Sequence, residues 1–65
     1  MSTQLTLSIY ELIIESYELI IALYAVLINE TDETKKAEYR AIISNIRSEL
    51  DVLNDVLEEI AKNAK

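Results

Sequence analysis

Two stretches without a helix breaker, residues 5–28 and 33–62, are separated by only four polar residues, Asn29, Glu30, Thr31 and Asp32. The whole chain of 65 residues contains neither glycine nor proline. Both stretches repeat their apolar residues at steps of three and four, the period of a helix face and not of a strand. So short a joint between helices of matched length predicts an all-α fold, an antiparallel two-helix hairpin with helix 1 over about 3–28, the joint at 29–32 and helix 2 over about 33–63. Asn29 suits the left-handed conformation that often closes a helix, and Thr31 or Asp32 can accept hydrogen bonds from the first amides of the next one. Ser2 or Thr3 is the expected first cap. Asp32 and Glu33 fall at the positive end of the second helix dipole, Lys62 and Lys65 near its negative end.

The second helix carries an ordinary amphipathic pattern. Tyr39, Ile43, Ile46, Leu50, Leu53, Leu57 and Ile60 alternate by four and three, which predicts one seam on a slightly underwound helix. Ile42 and Val56 widen the stripe on one side, and Glu38, Asn45, Ser48, Asp51, Asp55 and Glu59 are among the residues of a water-facing surface. This is the pattern of an outer helix.

The first helix has a much narrower polar face. Its heptad registers Leu5, Leu12, Leu19, Val26; Thr6, Ile13, Ile20, Leu27; Leu7, Ile14, Ile21, Ile28; and Tyr10, Tyr17, Tyr24 are almost wholly apolar, and Ile9, Ser16, Leu23 is mostly so. What remains is a single line, Gln4, Ser8, Glu11, Glu15, Glu18, Ala22, Ala25 and Asn29. One hairpin partner covers only part of such a helix, so the rest is expected to face other copies or other proteins. A chain this small also has no disulfide or metal staple available, since it lacks cysteine and histidine, and association is then the remaining source of burial. The expected arrangement is a multi-helix bundle or ring in which the first helix forms the interior and the second the shell. Leu12, Ile13, Tyr17, Leu19, Ile20, Leu23, Tyr24 and Leu27 are the expected interface, with the tyrosines bridging layers. Ile20→Asp is then expected to dissociate it.

Composition excludes other classes. Without His, Cys or Gly there is no imidazole or thiolate chemistry, no such metal site and no glycine-rich phosphate loop, and no cofactor or small-molecule substrate is implied. With four Lys and two Arg in a net charge of −6, nucleic acid is not an expected partner. The ten apolar residues from Leu19 to Ile28 fall short of the roughly 20 a bilayer needs, so a membrane role is not expected either. A soluble, reducing, cytoplasmic-type compartment fits the missing cysteines and basic leader. No nucleophile with a base is present, so no catalytic activity is expected.

Glu11, Glu15 and Glu18 form the one chemically suggestive group, three carboxylates on one helix face. A turn near residue 30 predicts Arg47 beside Glu15 and Arg40 near Glu18 and Ala22, so that salt bridges along the hairpin edge relieve the repulsion. The alternative is a symmetric assembly in which rings of these glutamates line a channel or bind calcium or magnesium. A further alternative is a small phage-like inhibitor that lays the first helix into another protein.

Two resemblances bear on the choice. Arg47, Ser48, Glu49, Leu50 and Asp51 resemble the Ser-Gln-Glu-Leu-Asp signature of short bacterial aspartyl-phosphate phosphatases that regulate sporulation, themselves helical hairpins. Agreement is confined to Glu49, Leu50 and Asp51, and the first helix here is far more apolar than that family's. Over its whole length the chain is similar to computationally designed helical-hairpin oligomers: continuous heptads, capped starts, charges matched to the dipole ends, and one short joint. That resemblance implies a scaffold whose purpose is assembly with itself.

Overall fold

The computed structural model describes residues 2–63. The chain folds as two helices, α1 (Ser2–Asn29) and α2 (Glu33–Asn63), packed antiparallel as an all-α hairpin. Lys65, and the side chain of Ser2 expected as a cap, lie outside the described residues; Thr3 is inside α1 and does not precede it.

The joint is held by three acidic or amide side chains. Glu30 N–H donates to the Leu27 carbonyl at 3.1 Å, tightening the last turn of α1, and Asn29 Nδ2 donates to the Ala25 carbonyl at 3.4 Å. Asn29 therefore does not close the helix in the left-handed conformation: no described residue has a positive φ. A carboxylate replaces that device, because Glu30 Oε2 accepts from the amides of Thr31 at 3.2 Å and Asp32 at 3.0 Å. Asp32 caps α2, its Oδ1 accepting from Thr34 N at 2.8 Å and Lys35 N at 3.3 Å, while its carbonyl takes the first helical bond from Lys36 N at 3.0 Å. Glu33 and Lys62 then sit at the dipole ends that favour their charges. Asp32→Ala is expected to lower stability by about 1 kcal/mol, with Asp32→Asn close to the parent, read from chemical denaturation followed by helical circular dichroism.

The two helices meet along a single heptad seam. Ile9, Ile20, Ile43, Ile46 and Leu50 are buried, and Ile13, Leu23 and Leu27 pack against the central cluster of Ile20, Ile43, Ile46 and Leu50. On α2 the buried and half-buried positions from Tyr39 to Ile60 follow the expected four-and-three alternation. On α1 the matching positions are Thr6, Ile9, Ile13, Ser16, Ile20, Leu23 and Leu27, so two hydroxyls occupy seam positions. Neither is stranded, since no described buried polar side-chain atom lacks a partner.

The hairpin remains a single layer. It measures 51 × 15 × 11 Å with a radius of gyration of 15.2 Å, where a compact domain of this length has about 11 Å. Its accessible surface is 5140 Å², against about 4200 Å² for a compact monomer of the same mass. Helix layers ordinarily bury their apolar faces against a second layer, and a single chain does not supply one here.

Candidate assembly surface

Each described side chain of α1 can be placed by its distance from the seam. One residue beyond a seam position lies about 100° round the helix, and two residues beyond it lies about 200° round. Glu11, Glu15 and Glu18 follow Ile9, Ile13 and Ser16 by two residues. The glutamate line therefore points away from α2, and all three carboxylates are exposed.

This rotation overturns the expected edge salt bridges. Arg40 and Arg47 are level with the right part of α1 but line a groove with Tyr17, Tyr24, Asp51 and Asn54, on the flank where the tyrosines lie. Among the described residues the ion pairs are Lys36–Glu33 at 3.1 Å and Lys62–Glu59 at 4.0 Å, both one turn apart on α2. A match of levels along the hairpin axis is not contact, because the body of α1 stands between the two groups.

The positions one residue after the seam form the first flank. On α1 these are Tyr10, Tyr17 and Tyr24 with Leu7, Ile14, Ile21 and Ile28; the last two are 68% and 80% exposed. On α2 the equivalent positions are Arg40, Ser44, Arg47, Asp51 and Asn54, so this flank is apolar on one helix and polar on the other.

The positions one residue before the seam form the second flank. Leu5, Leu12, Leu19 and Val26 on α1 are all about half exposed. Here α2 contributes Ile42, Val52 and Val56, interspersed with the exposed Glu38, Asn45, Glu49 and Glu59, and a groove runs between Leu12, Ser16, Glu49, Val52 and Leu53.

The expected interface residues divide between two environments. Ile13, Ile20, Leu23 and Leu27 belong to the seam inside one hairpin, whereas Leu12, Tyr17, Leu19 and Tyr24 are exposed on its flanks. The exposed apolar residues of α2 were the less readable part: Ile42 and Val56 stood out as a widened stripe, but Val52 sits among Asp51, Asn54 and Asp55 and carries no local signal.

Other site chemistries gain nothing from the geometry. Among the described residues no group of three or more His, Cys, Asp or Glu is placed to hold a metal ion, and no helix is long and apolar enough to cross a membrane. No protein family, curated protein or solved structure matches the chain.

Proposed function

We propose that the protein is a structural self-assembly module, a helical hairpin whose apolar first helix packs in the interior of a symmetric homo-oligomer and which has no catalytic role. One observation carries this reading: eleven large apolar side chains of α1 stay exposed in the single hairpin, from Leu5 to Ile28, against three on α2. Apolar surface of that extent marks an interaction site on a soluble protein. The uninterrupted heptads, which the chain has in common with designed hairpin oligomers, favour a partner of the same periodicity, and another copy supplies one.

The test is the absolute mass in detergent-free buffer, by light scattering behind a sizing column. A single discrete multiple of 7.4 kDa is expected. A monomer, or a polydisperse chain that settles only with another protein, overturns the reading and favours an inhibitor-like module.

A ring is the second form to consider, because the glutamate line lies opposite α2 with an apolar flank on either side. In such a ring α2 would form the shell and Glu11, Glu15 and Glu18 would line the axis as oxygen ligands for a divalent cation. Its signature is a change of mass or thermal stability on adding calcium. If both stay the same, the glutamates face solvent.

A further inference from the structure

α1 is apolar on both sides of its glutamate line. Leu7, Ile14 and Ile21 stand exposed beside the tyrosines on one flank, and Leu5, Leu12 and Leu19 on the other. What α2 adds to the two flanks differs in charge. In the half nearest the joint it presents Arg40, Ser44 and Arg47 on the tyrosine flank and, at the same levels, Glu38, Ile42 and Glu49 on the leucine flank. Farther along, Asp51, Asn54 and Glu58 continue the first row, and Val52, Val56 and Glu59 the second, with Glu59 paired to Lys62. None of Arg40, Arg47, Glu38 and Glu49 has an ion-pair partner among the described residues.

We infer that the tyrosine flank of one copy docks head to tail on the leucine flank of the next, so that Arg40 and Arg47 meet Glu38 and Glu49 of the second copy. This rests on the self-assembly reading and adds which surfaces meet: the occupant of each flank is a second copy presenting its other flank.

Charge is the first argument for that occupant. A contact between two identical flanks gathers charge of one sign, Glu38 and Glu49 of both copies on one side or Arg40 and Arg47 of both, relieved only by Asp51, on the other. Taking such charges out of water without opposite partners is strongly unfavourable. Unlike flanks supply the opposite sign in the half of α2 next to the joint, which also selects this contact over its alternatives. A rotation axis running along the helices keeps equal residue numbers level. Arg40 with Glu38, and Arg47 with Glu49, are then each about 3 Å apart along that axis, within reach of these long side chains. Exposure on both sides of α1 is the second argument. An isologous pair covers one flank in each copy and leaves the other in water, whereas a head-to-tail contact covers both and, if its rotation closes, forms a ring.

Two variants test this, each charged on one flank at sites the single hairpin leaves exposed: Ile14→Glu with Ile21→Glu, and Leu12→Glu with Leu19→Glu. Both are expected to keep helical circular dichroism, and each alone to have the mass of one chain. Mixed in equal amounts they are expected to form a pair of twice 7.4 kDa and nothing larger, since the intact flank of each fits the intact flank of the other. A mixture that stays at one chain, a variant that alone keeps the parent mass, or a parent of only two chains overturns the inference and leaves self-assembly standing; a monomeric parent removes both. Disulfide cross-linking is a second readout that does not depend on the charged variants folding. A chain with Arg47→Cys mixed with one carrying Glu49→Cys is expected to oxidise mainly to the mixed dimer, and a preference for either like pair overturns the head-to-tail contact.

Discussion

Ile43→Asp is expected to abolish the hairpin. Ile43 is 4% exposed at the centre of the seam, packed with Ile20, Ile46 and Leu50, and no described basic side chain is buried there to receive a carboxylate. An unpaired charge in such a site costs about 3–5 kcal/mol or more. A chain of this size has only about 3–5 kcal/mol of net stability from its core, so the substitution removes all of it. Loss of the helical circular dichroism signal at neutral pH is the readout. Ile43→Val, which keeps the chemistry and removes one methylene, is expected to cost about 0.5–1.5 kcal/mol and keep the fold. If Ile43→Asp retains full helicity, the seam is not what holds the two helices together.

The seam illustrates what could be read before the structure. On α2 the stripe from Tyr39 to Ile60 is legible because Glu38, Asp51, Glu58 and their neighbours frame it with charge. On α1 nothing frames it, since apolar residues occupy most of the circumference, and the face that packs on α2 includes Thr6 and Ser16 where a pattern search looks for leucine. That choice belongs to the pair: α1 can offer several faces, and the observed one places Ile9, Ile13, Ile20 and Leu23 on the single stripe of α2 while leaving Glu11, Glu15 and Glu18 in water. The misplaced salt bridges have the same origin. Counting from the joint gives the level of Arg47 correctly, but rotation about α1 is fixed only once the seam is known. Asn29 differs for a local reason, because the Glu30 carboxylate already accepts the amides of Thr31 and Asp32, so the chain turns without a left-handed residue.

In the proposed assembly an α1 apolar on both flanks separates the requirements of folding from those of association at adjacent residues. Ile20 is buried in the seam and Leu19 is half exposed on the neighbouring flank. An aspartate at Ile20 therefore strikes the hairpin itself, and the dissociation expected of it from sequence would be accompanied by unfolding. Leu19→Asp is the cleaner variant. In the single hairpin that carboxylate stays in water, so the helical signal is expected to persist. In the assembly it removes the burial of the half of Leu19 that the hairpin leaves exposed, about 0.8–1.5 kcal/mol from each copy, and adds a charge to an apolar contact. Symmetry repeats the loss in every subunit, and each 1.4 kcal/mol is tenfold in affinity. The dissociation constant of a pair of copies is expected to rise at least about tenfold, with the mass falling toward 7.4 kDa at micromolar concentration. Sedimentation equilibrium beside circular dichroism reads both halves: a helical chain of reduced mass places Leu19 in the contact between copies, and an unchanged mass places that contact elsewhere on α1.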